Sequence, residues 1–206
     1  MNSRVPSSVA LASCAAALVM SLAACGSDPE TPSTGTSPVA SPVASTVVET
    51  PSAASGCPGT PPEAGVAPEW TLPGSSGSVA VTGSTDAAAP SVNVTAPFSV
   101  AETQVQTLQA GSGPVVADTA TVSVCYLGVN GRDGSVFDSS YGSAPVEFPL
   151  DGVIPGFQKA IAGQNVGSTV AVAMTSADGY PDGQPAAGIA PGDTLVFAIK
   201  ILGASS

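Results

Sequence analysis

The sequence contains no histidine and very few basic residues. Its 206 residues include 4 Lys and Arg in total against 15 Asp and Glu, which gives a formal net charge of −11. The absence of imidazole excludes Ser-His-Asp and Cys-His catalysis and most metal sites. The scarcity of Lys and Arg argues against nucleic acid as a partner and against electrostatic docking on anionic lipid, since both need clustered cations. Any chemistry must therefore proceed without an imidazole.

An apolar run near the start is typical of a secretion signal. Residues 9–24 are mostly apolar, and the run is shorter than the about 20 residues that a membrane-spanning helix needs. It ends in Leu22-Ala23-Ala24-Cys25, which resembles the bacterial lipobox. Ordinary cleavage after a small-x-small site is the alternative, but Leu22 is too large for that pattern. We predict a lipoprotein signal peptide over residues 1–24 and a lipid anchor on Cys25, which holds the chain on the extracytoplasmic side of the cell membrane.

Two segments separate this signal from the main domain. Residues 25–56 are rich in Ser, Thr and Pro and have neither a helical nor a strand period, which predicts a disordered tether. Residues 57–90 contain the single Trp of the chain, Trp70, and a strand-like alternation at Ser78–Thr82. We expect residues 57–90 to form an N-terminal extension that packs on a main domain at residues 91–206, because an exposed lone Trp is uncommon.

Two cysteines remain after the signal and the anchor are set aside. Cys57 lies in the extension and Cys125 in the run Thr121–Tyr126, where apolar and polar residues alternate. Cys125 falls on the face opposite Val122 and Val124, so it can meet the extension. An exported protein folds in an oxidising compartment, which makes the pair a disulfide candidate. Two unpaired thiols are the alternative.

The main domain is patterned as short strands. The turn at Asn130–Gly134 is typical of a hairpin, because Asn-Gly and Asp-Gly accept positive φ angles. Strand-like runs occur at residues 91–95, 105–108, 119–129, 135–138, 146–150, 168–175 and 194–202.

One stretch, Gly152–Gly163, predicts a short helix instead. Pro155 suits the first helical position and Gly163 the position just past the end. Phe157, Ala160 and Ile161 fall on one face. So few turns are unstable alone, so we expect this face to pack on the sheet and the helix start to form the wall of a pocket. The fold class predicted is α+β.

Several stretches of the main domain, in their order and spacing over about residues 95–203, carry a family resemblance. They are Tyr126, Gly134–Ser140 (GSVFDSS), Pro145–Phe148 (PVEF), Val153–Phe157 (VIPGF) and Gly192–Phe197 (GDTLVF). Together they resemble the FKBP-type peptidyl-prolyl cis–trans isomerases. The fold that this resemblance implies is a curved antiparallel β-sheet wrapped around one short α-helix, here preceded by the disordered tether.

The resemblance also assigns roles to residues of this chain. Ile154 matches the position whose N–H binds a ligand carbonyl, and Tyr180 matches a hydroxyl donor on the pocket rim. Without the family, Asp138 is interpreted as a turn residue and Tyr126 as a core aromatic. The matched catalytic positions are Tyr126, Phe137, Asp138 and Tyr180, and the matched substrate-binding positions are Val153, Ile154, Phe157, Ile189 and Phe197.

Five features depart from the family pattern. Phe157 stands where many members have Trp, and Val146 replaces an aromatic. Pro181 follows Tyr180 where Gly is common, and Ala190 is smaller than a side chain that helps to close the pocket in some members. Tyr141-Gly142-Ser143 lacks the Arg that often pairs with the pocket Asp. These departures predict a wider pocket and weaker catalysis.

The implied activity is prolyl isomerisation that assists the folding of exported proteins. The alternative is a non-catalytic module that holds Pro-containing segments. In either case the expected partners are Pro-containing unfolded or exported polypeptides, with macrolide-type immunophilin ligands as a second class. We expect a monomer without cofactor or metal ion, in contact with the membrane only through its lipid.

Overall fold

The computed structural model describes residues 56–205. The predicted signal peptide, Cys25 and all but the last residue of the predicted tether lie outside this range. Within it, no helix has the length and apolar character needed to cross a membrane.

The described residues form nine β-strands and one α-helix, with three short 3-10 turns. A strand lies at each run that the sequence pattern predicted, and the helix lies where Pro155 and Gly163 indicated. The elements are β1 Trp70–Pro73, β2 Ser76–Thr82, β3 Ser91–Ser99, β4 Gln104–Gln109, β5 Thr121–Asn130, β6 Val136–Ser139, β7 Val146–Pro149, α1 Pro155–Ile161, β8 Thr169–Met174 and β9 Leu195–Ser205.

The larger sheet is antiparallel and has six strands. Its order is β4-β8-β9-β5-β6, and β7 also pairs with β5. The first half of β5 pairs with β7 and the second half with β6, while β9 runs along the other edge of β5. The strands β6 and β7 therefore share one edge of β5, and the chain between them must loop out at the middle of that strand.

Helix α1 packs on one face of this sheet. Its predicted inner face, formed by Phe157, Ala160 and Ile161, is buried. Gly156 permits a close approach to β8, because a Cβ there would lie 2.5 Å from the Sδ atom of Met174. Ala162 caps the helix and Gly163 follows with a φ of 77°, as the sequence predicted. The predicted fold class, an antiparallel sheet around one short helix, is confirmed.

The opposite face of the larger sheet carries small side chains and is covered by a second sheet. Strands β1, β2 and β3 form a three-stranded antiparallel sheet. Val79, Val81 and Phe98 of this sheet pack against a patch of the larger one, and Trp70 is partly buried beside them. Because the patch is mostly alanine, the two sheets approach closely. Its members are Ala171, Ala173, Val196 and Ala198.

The sequence boundary between residues 90 and 91 falls inside this small sheet. Strand β3 begins at Ser91 but pairs with β2, not with a strand of the larger sheet. The alternation in residues 91–95 predicts a strand but does not specify which strand it pairs with. The small sheet therefore includes residues on both sides of the predicted boundary.

A disulfide joins the beginning of the described chain to the middle of the larger sheet. Cys57 and Cys125 are bonded, with their Cα atoms 5.6 Å apart. Both residues are buried. Cys125 points away from the face that carries α1, as the alternation of β5 indicated.

Reduction of this disulfide should destabilise the fold. The bond closes a loop with a sequence separation of 68. Releasing such a loop increases the entropy of the unfolded chain by an amount worth about 4 kcal/mol. Treating the folded protein with a dithiol should add the mass of two hydrogens and lower the melting temperature. An unchanged melting temperature after a confirmed mass shift would contradict this expectation.

Candidate active site

A pocket opens between α1 and the larger sheet, with a volume of about 330 Å³. It contains all four predicted catalytic residues and four of the five predicted substrate-binding residues. Its lining residues are Tyr126, Phe137, Asp138, Val146, Phe148, Gly152, Val153, Ile154, Phe157, Tyr180 and Phe197.

Five aromatic side chains form the floor and walls. The rings of Phe157 and Phe197 meet edge to face, with centroids 4.6 Å apart and planes at 89°. Phe137 makes a similar contact with Phe197 at 5.4 Å, and Phe148 contacts Phe157 at 5.9 Å. Tyr126 lies 5.8 Å from Phe157. Such edge-to-face contacts hold each ring in one orientation and give the pocket a rigid apolar surface.

The polar side of the pocket is formed by Tyr126 and Asp138, whose side chains are joined by a hydrogen bond. The Tyr126 hydroxyl donates to Oδ2 of Asp138 at 2.6 Å. Burial raises the pKa of Tyr126, and the hydrogen bond to Asp138 raises it further. Tyr126 therefore remains a neutral donor at physiological pH and fixes one carboxylate oxygen of Asp138.

Two donors on the lining have no partner within residues 56–205. The N–H of Ile154 bonds to no acceptor there, and the same is true of the Tyr180 hydroxyl. The Ile154 peptide is nevertheless held by the helix start, since its carbonyl accepts the N–H groups of Phe157 at 3.0 Å and Gln158 at 3.3 Å. These two donors are free to bind the carbonyl groups of a ligand.

Ile189 is the predicted site residue that does not line the pocket. It is 2% exposed and belongs to the core cluster under α1. Ala190 likewise does not line the pocket, and its N–H donates to the buried carboxylate of Asp193 at 2.8 Å. This segment supports the pocket from behind.

Three lining residues were not among the predicted site residues. Val146 and Phe148 alternate along β7 and so present the same face, and Gly152 precedes the segment that leads into α1. Because side chains two residues apart on a strand share a face, the position of Val146 could have indicated that Phe148 lines the pocket as well. Val146 was noted only as a departure, and it leaves part of the wall without an aromatic ring.

An ion pair fixes the turn before Tyr180. Asp178 ends the 3-10 turn Ser176–Asp178 and binds Lys159 of α1, with Nζ 2.7 Å and 2.8 Å from its two oxygens. The Thr103 hydroxyl donates to the same carboxylate. The bond from Lys159 and then that from Thr103 lower the pKa of Asp178.

The lowered pKa gives this contact a defined pH dependence. A carboxyl group with a depressed folded-state pKa stabilises the fold above its unfolded pKa, and loses this effect as the pH falls through the folded value. The Asp178→Asn variant should therefore melt below the parent at pH 6, and the difference should shrink at pH values below about 3. Thermal denaturation at both pH values checks this; a difference that grows in acid would contradict it.

The sequence matches known proteins over most of the larger sheet and over its helix. The family model "FKBP-type peptidyl-prolyl cis-trans isomerase" matches residues 113–202. The Escherichia coli FKBP-type 22 kDa peptidyl-prolyl cis-trans isomerase is 38% identical over 100 residues, which cover 48% of each chain. An FK506-binding protein of Streptomyces anulatus is 33% identical over 106 residues, 50% of this chain and 86% of that protein.

Two solved structures are also similar to part of this chain. The isomerase of Pseudomonas syringae is 30% identical and has a TM-score of 0.46, over 50% of this chain and 76% of that one. The crystal structure of Escherichia coli FkpA is 36% identical with a TM-score of 0.46, over 50% of this chain and 48% of that one. Matches to the two Escherichia coli relatives span 48% and 36% of their lengths, so less than half of each is covered. Since most of the Streptomyces protein is covered at that identity, the chain belongs to the FKBP-type peptidyl-prolyl cis–trans isomerase family.

Proposed function

We propose that the chain is a peptidyl-prolyl cis–trans isomerase that assists the folding of exported proteins at the cell surface, where a lipid on Cys25 holds it. The observation that carries the activity is the pocket itself, an apolar aromatic surface with a fixed Tyr126–Asp138 pair and two donors that have no partner among residues 56–205. The names of the relatives agree with this activity. The location rests on the sequence of the first 25 residues.

The reaction suits a protein without histidine. Rotation about the bond before proline has a barrier of about 20 kcal/mol, which arises from amide resonance. No proton has to move and no covalent intermediate is needed. An apolar pocket removes water from the bond and disfavours the charge-separated planar amide. Binding that is tighter for the twisted amide than for the planar one then accelerates the rotation.

Different lining residues have different roles in this reaction. The rings of Phe157 and Phe197 offer a rigid apolar surface to the pyrrolidine ring. The Ile154 N–H and the Tyr180 hydroxyl hold peptide carbonyls and fix the segment on either side of the rotating bond. Tyr126 and Asp138 close the polar side and set the electric field there. None of these roles requires a change of protonation.

The alternative is a module that binds Pro-containing segments without turning them over. The observation that favours it is Val146, an aliphatic side chain on the pocket wall that is 37% exposed. A wall without an aromatic ring excludes water less completely, and the twisted amide then gains less over the planar one. Substrate binding and isomerisation must therefore be measured separately.

Isomerase activity is tested with the chain from Gly26 to Ser206 and peptides containing Leu-Pro or Phe-Pro. We expect catalysis above the uncatalysed rate. Tyr180→Phe should lower kcat/KM about fivefold, the equivalent of one hydrogen bond of about 1 kcal/mol. Asp138→Ala should lower it at least as much, because it also releases the Tyr126 hydroxyl.

The matched control is Tyr141→Phe, which removes a buried hydroxyl that lies outside the pocket lining. Its kcat/KM should equal that of the parent. A folded protein that binds the peptides without isomerising them would overturn the catalytic proposal and support the binding module.

The anchor is tested in a bacterium that expresses the full chain and is fed a labelled fatty acid. Label should enter the parent and the Cys14→Ser variant, because Cys14 lies within the predicted signal peptide. Label should be absent from Cys25→Ser. Equal labelling of parent and Cys25→Ser would contradict the predicted anchor.

A further inference from the structure

Ser140 stands at the point where β6 leaves the edge of β5. The ladder pairs Gly128 with Asp138 and Leu127 with Ser139, so the next rung falls between Tyr126 and Ser140. The Ser140 N–H donates to the Tyr126 carbonyl at 3.0 Å. The return bond comes from a side chain, since the Tyr126 N–H donates to the Ser140 Oγ at 2.9 Å. A serine hydroxyl thus completes the rung where the backbone turns away.

This rung holds both members of the polar pair in the pocket. Tyr126 and Asp138 sit on adjacent strands, and their side chains are joined by the 2.6 Å hydrogen bond. Ser140 lies two residues after Asp138 and bonds both backbone groups of Tyr126. It is 5% exposed and does not itself line the pocket. Its position fixes the distance between the two strands beside the site.

The N-terminal extension holds Ser140 from the other side. The Cys57 N–H donates to the carbonyl of Ser143 at 2.9 Å, and the Gly142 N–H donates to the carbonyl of Cys57 at 3.1 Å. The Cys57 Sγ lies 3.5 Å from the Ser140 Oγ. Cys125, the disulfide partner of Cys57, immediately precedes Tyr126. The backbones are close, since a Cβ on Gly59 would come within 3.1 Å of the Gly142 Cα.

We propose that Ser140 is a positioning residue for the pocket and that Cys57 of the extension clamps it, so that the extension forms part of the active site's support. The inference rests on the proposed isomerase activity. It assigns the segment around Cys57 a role in the alignment of Tyr126 and Asp138, beyond its contribution to stability. The clamp acts through Ser140, so removing either one should misalign the same pair.

The chain offers a matched control for the loss of the Ser140 hydroxyl. Ser168 is 1% exposed, against 5% for Ser140, and its Oγ accepts the Gly111 N–H at 2.9 Å outside the pocket lining. Ser140→Ala and Ser168→Ala therefore each delete a hydrogen bond from a backbone N–H to a buried serine hydroxyl. If the role of Ser140 is purely structural, Ser140→Ala and Ser168→Ala should have the same kcat/KM.

The test compares kcat, KM and melting temperature for the parent, Ser140→Ala, Ser140→Thr and Ser168→Ala, each oxidised and reduced, in the chain from Gly26 to Ser206. Reduction by a dithiol transfers two electrons and two protons, leaving thiols on Cys57 and Cys125 and a disulfide in the reagent. We expect Ser140→Ala to lower kcat/KM by about tenfold, mainly through kcat, because small misplacements cost that much or more. Ser140→Thr should recover most of this loss, and Ser168→Ala should show none.

Reduction of the disulfide should lower kcat/KM of the parent, as Ser140→Ala does. It should have less effect on Ser140→Ala, since two changes that act through one contact are not additive. Equal kcat/KM for Ser140→Ala and Ser168→Ala would overturn the proposal, as would full additivity of reduction and Ser140→Ala.

Amide hydrogen exchange keeps the inference separate from the proposed function. In Ser140→Ala the Tyr126 amide should lose protection while the Leu127 amide, on the β9 side of the strand, keeps it. If the parent shows no isomerase activity, the proposed function fails. The positioning role is then judged by this exchange and by the affinity for a Pro-containing peptide, which should fall in Ser140→Ala and not in Ser168→Ala.

Discussion

The edge-to-face contact of Phe157 with Phe197, at 4.6 Å, is the interaction on which the site depends. A helix of seven residues is too short to be stable by itself, so α1 exists only because its apolar face is buried on the sheet. Phe157 is the side chain that joins this burial to the pocket, since it is 6% exposed and still lines the cavity. The packing of the helix and the floor of the site are therefore the same contact.

The sheet is adapted differently to what covers each face. Toward α1 it presents large side chains such as Ile199 and Ile201, which fill the space around the helix. Toward the small sheet it presents the alanines of β8 and β9, which let three further strands lie close. Since β8 is buried on both faces, it offers no freedom to shift. The rigidity of the pocket floor follows from this double burial.

The positively charged side chains of the described residues bind groups of the same chain. The chain has few cations, and all three that the described residues contain are bound internally: Lys159 to Asp178, Arg132 to the Gly188 carbonyl, and Lys200 to the Gly167 carbonyl. Two of these bonds fix loops that flank the pocket, one before Tyr180 and one after Gln184. Scarce positive charge is thus used to hold backbone turns in place near the site.

Much of this protein was determined by local patterns in the sequence. Alternation located the strands, Pro155 and Gly163 bounded the helix, and the ordered stretches from Tyr126 to Phe197 named the family and eight of the lining residues. Such features follow from short-range preferences and motif spacing, which a sequence records directly. The tertiary structure alone decided that β3 pairs with β2, that Ile189 lies outside the pocket lining, and that Cys57 reaches Ser140. Each of these depends on which distant segments pair, and a strand pattern specifies a face but not a partner.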